Sequence, residues 1–380
     1  MTAGKYRKFA VNIFILLIYC LTIVCLAGWS LKNPSYNWDI LPYMGVVLSY
    51  EKMDIKSIHN NVYATAQDEV SSVFYNRLID PNNAYRSRVA QSPEIFRSQL
   101  PFYVVKPLYT RIAWLFYMAG ISLSLSTVWP SVIAYFVTGL LLFFWLKKYW
   151  SGVYACIAGI LIMLSPPLLS VAGLSTPDAL SGLSLFSAVY FLTEKKSLAG
   201  TFIFLILAIF TRLDNIIPAI CLMSGIFFTK KWVGKIPAGK KLVLFSLLLL
   251  SYFAVSSNAH SFGWSIFYYP VFAKQLNSSY TANNTFNFGE YAALAKSQVR
   301  TGLFFSFISL FFFLVAFLLW NASLFSFNKL TIEETFAAIF VLIILIRFIL
   351  QPLIADRLYI PYYLSVIVFL VKKNSLVLRR

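Results

Sequence analysis

Of the 380 residues, 59% are hydrophobic, 18% aromatic and only 12% charged. Soluble domains carry roughly a quarter charged residues, so a chain folded wholly in water is excluded: these charges could not cover its surface. A formal net charge of +18 would suggest nucleic acid in a soluble protein. Here Lys and Arg are those of cytoplasmic loops, so no nucleic-acid partner is expected; the surplus can serve anionic membrane lipid or a phosphate-bearing substrate.

The apolar residues come in runs near the ~20 that span a bilayer. They predict an all-α integral membrane fold with about ten transmembrane helices, one domain over residues 1–380. A short basic start (Lys5, Arg7, Lys8) leads into a first span at 9–29. A polar segment over 30–106 follows and holds seven of the acidic residues, Asp39, Glu51, Asp54, Asp68, Glu69, Asp80 and Glu94. Pro42 can occupy a first helical turn ahead of an apolar stretch to Met53. Val70, Val73, Phe74 and Leu78 recur at helical spacing, and Asp80-Pro81-Asn82 reads as a turn. Short interfacial helices are expected here. Further spans are expected at 129–145, 153–169, 179–192, 199–211, 216–228, 242–256, 302–320, 335–350 and 359–371. Cys20, Cys25, Cys156 and Cys221 lie in apolar runs, without metal or disulfide spacing.

Basic residues fall at every second connection: Lys147-Lys148, Lys195-Lys196, then Lys230, Lys231, Lys235, Lys240 and Lys241, then Lys329, then Lys372-Lys373 and Arg379-Arg380. This alternation predicts cytoplasmic N- and C-termini. A crossing by the apolar segment 108–126 would break the pattern, which leaves two arrangements: a segment that does not cross, or an external N-terminus with a cytoplasmic long loop. The first is preferred because short basic ends are informative and long loops are not. The segment is therefore read as interfacial or re-entrant, inside an external loop over about 30–128. Arg111 and the alternating Ser122, Ser124 and Ser126 likewise weaken it as a lipid-exposed span. On this topology the long first loop, the STPDAL turn, the TRLDN turn, a second external loop over about 258–300 and the ADRLYIP stretch share the outer face.

The order of these motifs resembles the GT-C class of membrane glycosyltransferases, including protein O-mannosyltransferases and aminoarabinose transferases of lipid A. NWDILPY places Asp39 early in the first external loop, where the class keeps its catalytic base. VKPLYTRIAWL is similar to its Pro-Leu-Tyr-like element before a surface helix. SPPLLSVAGLSTPDALSGL, TRLDNIIPAI and DRLYIPYYLSVIVF resemble its external Pro-Asp turn, its Thr-Arg-x-Asp turn and its late Arg-x-x-x-Pro element. The usual Asp-Glu pair is absent, since Ile40 follows Asp39, and no large soluble domain follows the last span, as in smaller bacterial-type members. The resemblance implies inverting sugar transfer from a polyprenyl-phosphate donor to a lipid, glycan or protein acceptor, at a bacterial inner (plasma) membrane.

Each candidate residue has a plainer reading beside the functional one. Asp39 is a general base or the start of a short helix before Pro42. Arg212 and Arg357, at outer span ends, grip a donor phosphate, or snorkel to the interface or pair with Asp214 or Asp356. Lys106 is a further phosphate candidate. Asp178, Asp214 and Asp356 are substrate groups or structural ones, with capping the default for Asp178. His59 and His260 are lone loop histidines, His59 a possible substrate or structural residue. Loop aromatics (Tyr268, Tyr269, Tyr280, Phe286, Phe288, Tyr291) stack on sugars or anchor at the interface. No cofactor is called for; a divalent metal is compatible, but no spacing indicates one. The alternative function is a polytopic transporter or flippase of a lipid-linked or polyanionic substrate, for which inverted repeats and broken spans would be expected.

Overall fold

A computed structural model describes residues 3–228, 236–258, 288–320 and 330–377. Most of the expected loop at 258–300 lies outside these residues, with His260, Tyr268, Tyr269, Tyr280 and Phe286. So do Lys230, Lys231, Lys235, Lys329, Arg379 and Arg380.

Among the described residues the secondary structure is helical, apart from one isolated parallel bridge between Ser35 and Leu174. In chain order the helices are α1 (Ala3–Lys32), α2 (Ile40–Ser49), α3 (Ile55–Glu69), α4 (Ser72–Ile79), α5 (Ala84–Gln91), α6 (Pro93–Arg97), α7 (Pro101–Val104), α8 (Pro107–Met118), α9 (Leu123–Lys147) and α10 (Gly152–Met163). They continue with α11 (Pro166–Ala172), α12 (Asp178–Thr193), α13 (Leu198–Thr211), α14 (Ile216–Phe228), α15 (Ala238–Asn258), α16 (Phe288–Phe305), α17 (Ile308–Leu319), α18 (Ile332–Leu350) and α19 (Ile360–Val377). Two 3-10 turns, Leu213–Asn215 and Asp356–Leu358, precede α14 and α19.

Each expected span coincides with a helix or a bent helix pair. Among the described residues three helices are long and apolar enough to cross a membrane, or up to five if each bent pair counts as one span. The bends fall inside two expected spans. α10 and α11 meet at 69°, where Pro166 opens a new first turn, and α16 and α17 meet at 74° around Ser306 and Phe307. The segment 108–126 is also divided. α8 has 12 residues, about 18 Å at 1.5 Å per residue against ~30 Å of bilayer hydrocarbon. Gly120, at φ +87°, then reverses the chain into α9.

Two cores form. The larger unites α1, α9 to α15 and α17 to α19 around Trp145, Phe186, Phe340 and Phe369. Glycines set its closest approaches. A Cβ on Gly159 would stand 2.8 Å from the Tyr19 ring, and the Tyr19 hydroxyl donates to Gly139 O at 2.7 Å. Outward faces stay apolar: Phe14, Leu21, Leu161, Leu250 and Phe313 are each more than 60% exposed, an arrangement suited to lipid rather than water. The smaller core gathers α2 to α6 and α8 around Met44, Val47, Val62, Phe96 and Leu100. The helical run expected across Val70 to Leu78 breaks at Val70 and Ser71, so Val70 ends α3 while Val73, Phe74 and Leu78 ride on α4.

The bundle has two distinguishable ends. Asn12 and Ile15 of α1 lie beside Gly152 at the start of α10, while Ser30 and Ser35 lie beside Gly173 after α11. The first end also gathers Lys148, Glu194, Lys372 and Lys373 through ion pairs. The second carries the small-core helices, the start of α12 and the turns before α14 and α19. α12 joins the ends with 16 residues, about 24 Å.

Candidate functional site

The site begins where the chain leaves α1. Ser35 N donates to Gly173 O at 2.9 Å, strapping the NWD segment to the turn that carries Asp178. Asp39 is the residue before α2, yet its carboxylate makes no cap bond to its own helix. It accepts instead from the Tyr103 hydroxyl at 2.8 Å and from Asn37 Nδ2 at 3.1 Å. The capping account therefore does not explain this side chain.

Tyr103 links the carboxylate to a cation. Lys106 Nζ lies 4.5 Å from the Tyr103 ring centre and 5.2 Å from that of Tyr43, and donates to Phe102 O at 3.0 Å. Tyr43 packs edge-on against both Tyr103 and Tyr109, and the Tyr109 hydroxyl donates to Thr127 O at 2.6 Å, fixing this aromatic stack to α9. The Lys106 ammonium is lowered to about 8, chiefly by burial; Asp39 works against the shift, Arg212 with it, and Asp178 and Asp214 against it. Burial, then the nearby Asp39 charge, hold the Tyr103 phenol well above its ordinary range, so it stays protonated as a donor.

Beside this pair lies a chain of alternating charges: Arg357, Asp178, Arg212, Asp214 and Arg347. Arg212 is set at the break between α13 and α14, which Asn215 stabilises by donating to Ala208 O at 2.7 Å and Ser181 Oγ at 2.8 Å. Its guanidinium grips Asp214 at two points, 3.0 and 3.1 Å, and donates from Nη1 to Asp178. Asp178 opens α12 without capping it. It accepts from Thr176 Oγ1 at 2.9 Å, and Ser131 holds that turn through Thr176 O. Arg347 enters from α18 and donates to Asp214 Oδ2, the oxygen that Arg212 Nη2 also bonds. Arg357 reaches Asp178 at 3.4 Å with its side chain one-third exposed, whereas Arg347 is only 6% exposed.

The structure therefore brings Asp39, Lys106, Asp178, Arg212, Asp214 and Arg357 to one end of the bundle. Arg212 does pair with Asp214, as its plainer reading holds, but it also binds Asp178. Arg357 pairs with Asp178 and not with its neighbour Asp356. Asp356 is engaged elsewhere, accepting from Phe307 N and the Tyr363 hydroxyl at 2.9 Å each, where it secures the start of α17. His59 is not a loop residue. It sits buried on α3, packed on Tyr63 and Phe96, with Nε2 3.2 Å from Val89 O in the smaller core.

Three contributors escaped the sequence reading. Arg347 had a signal, a lone charge within the apolar run of α18. Asn37 and Tyr103 had none, being ordinary polar and aromatic residues in a segment rich in both. Among the described residues no group of three or more His, Cys, Asp or Glu is placed to hold a metal ion. Phe288 and Tyr291 stack on each other, and the Tyr291 hydroxyl donates to Ile349 O at 2.6 Å.

The opposite end has a different character. Glu194 accepts from Lys148, from the Tyr149 hydroxyl at 2.5 Å and from Lys372 at 3.1 Å. Lys372 also meets Glu333 at 2.6 Å, and Lys373 meets Glu334 at 3.0 Å. Three lysines and three glutamates thus close on one another. Comparison of the chain with protein-family models, with curated proteins and with solved structures returned no match.

Proposed function

We propose that the chain is a GT-C-like integral membrane glycosyltransferase, about ten spans with both termini cytoplasmic, that works at the external face of a bacterial-type plasma membrane. It moves a sugar from a polyprenyl-phosphate donor to a lipid, glycan or protein acceptor. One observation carries the reading: a carboxylate not used by its own helix, Asp39, lies beside a buried cluster rich in guanidinium groups and Lys106. Acid–base chemistry needs the first, and a phosphate leaving group needs the second.

In the proposed step Asp39 takes the proton of an acceptor hydroxyl. That oxygen attacks the anomeric carbon as the carbon–oxygen bond to phosphate breaks, inverting the centre. The bonding electrons stay on the phosphate oxygen, so the lipid phosphate leaves with one more negative charge. Arg357 and Lys106 are suited to receive it, since neither is held by two carboxylates. Arg212, gripped by Asp178 and Asp214, acts mainly by placing the network and adding to its field.

The test is transfer from a labelled polyprenyl-phosphate sugar in detergent, with donor affinity measured separately. Asp39→Asn is nearly isosteric and should lower turnover about 10²-fold or more, with donor affinity held within about twofold. Near-normal turnover would remove Asp39 as the base. A transporter or flippase would move the donor across vesicles without cleaving it, so the same preparation separates the two functions.

A further inference from the structure

We propose that Asn37 and Asp39 together form an acceptor subsite that recognises two adjacent hydroxyl groups, making the acceptor a polyol or sugar rather than a lone alcohol. The inference rests on the transferase reading and narrows its acceptor class.

The orientation of the Asn37 amide is dictated by its neighbour. An ionised carboxylate only accepts hydrogen bonds, so the amide must turn Nδ2 toward Asp39, as the 3.1 Å contact records. The carbonyl Oδ1 is thereby turned away. It is buried, yet among the described residues no donor reaches it. A buried acceptor without a donor is costly, and the turn is not free to rearrange. Ile40 N donates to Asn37 O, and Tyr43 N to Asp39 O, both at 3.2 Å. Trp38, between the two residues, is pinned by Tyr85 at 5.9 Å and by the Arg86 guanidinium at 5.5 Å.

Asp39 also retains capacity. Each carboxylate oxygen accepts one bond, from Tyr103 and from Asn37, and each can accept another. Asp39 and Asn37 Oδ1 thus present two acceptors, one amide group apart, the second without a donor among the described residues. Hydroxyls on neighbouring carbons match this: one gives its proton to Asp39 and becomes the nucleophile, while the other donates to Asn37 Oδ1 and fixes which oxygen reacts. A serine, a threonine or a simple alcohol fills only the first position.

The probes are 1-O-octylglycerol, with two adjacent hydroxyls, and 3-octyloxypropan-1-ol, with one. Equilibrium dialysis against the full-length protein in detergent, and transfer from a polyprenyl-phosphate sugar, should both favour the diol about tenfold. Asn37→Leu should bring that ratio to within about twofold while donor affinity is unchanged. Asn37→Ser, a smaller change, covers the case in which the leucine variant fails to fold, and should also reduce the ratio. Equal affinity of wild type for the two probes, or a ratio that survives both substitutions, overturns the proposal. Preferential diol binding without transfer to either probe would instead count against the transferase reading and leave the hydroxyl-pair site standing.

Discussion

Arg347 and Arg357 belong to one ion network but should fail in opposite ways when replaced by methionine. Arg347 is 6% exposed and bonds Asp214, itself 14% exposed. Removing one partner of a buried ion pair costs about 3–5 kcal/mol. Because Asp214 keeps its two-point grip from Arg212, the lower end, about 3 kcal/mol, applies to Arg347→Met. In a chain of this size that should lower the melting temperature by about 4 °C. Arg357 has a one-third exposed side chain and a single 3.4 Å ion pair, to an Asp178 that also keeps Arg212 and Thr176. Arg357→Met should therefore change stability by less than about 1 kcal/mol. On the proposed function it should weaken binding of a polyprenyl-phosphate ligand about 10–100-fold, the loss of a charge-assisted contact worth roughly 1.5–3 kcal/mol. Thermal unfolding in detergent and ligand titration on the same preparations separate the two. Equal melting losses, or a binding defect confined to Arg347→Met, would refute the division into a structural and a ligand-facing arginine.

Donor affinity should fall as pH rises through about 8, because Lys106 is charged below that value and neutral above it; Lys106→Arg, which stays charged, should flatten the profile in the same titration. Burial raises Glu194, but bonds from Lys148 and Tyr149 and the Lys372 charge outweigh it and hold the carboxyl at about 2. Its stabilisation is thus complete above the ordinary value near 4.5 and lost as pH falls toward 2, so Glu194→Gln should melt lower at pH 7 and converge with wild type at the acid end. Reporters fused after Lys148 and Lys196 should read cytoplasmic and one near Asn82 external; a cytoplasmic result near Asn82 would overturn the proposed orientation.

How far the fold could be read follows from what each feature depends on. The longer bundle helices were legible because each is a local apolar run, whereas the polar α3 and α5 were expected only as short interfacial helices without bounds. The bend before Pro166 had a signal in SPPLL, since proline at a first turn marks a new helix, but the single span expected over 153–169 ran through it. The bend at Ser306 and Phe307 had none: its Phe307 N–H is taken by Asp356 from a distant turn. Arg212 and Asp178 could be found from their places at span ends, and Asp39 from its place early in the loop after the first span. Their partners could not. Arg357 and Asp356 are consecutive and invite pairing, yet the 3-10 turn that holds them sends one to Asp178 and the other to Phe307 and Tyr363. Tyr103 gains its meaning only because α7 carries its hydroxyl to Asp39.

The two ends of the bundle make a comparison that bears on the chemistry. At the Glu194 end three lysines meet three glutamates, and the charges cancel. At the Asp178 end three guanidiniums share two carboxylates, with Lys106 beside Asp39. A network that served only to hold helices together would be most stable when balanced, since an uncompensated buried cation is costly. Packing alone does not require Arg357 to be charged: methionine would fill a similar volume. The surplus is explained if an anion completes the site. On the proposed reaction that anion gains a charge as the sugar departs, when Arg357, the least tightly held of the three arginines, is free to follow it.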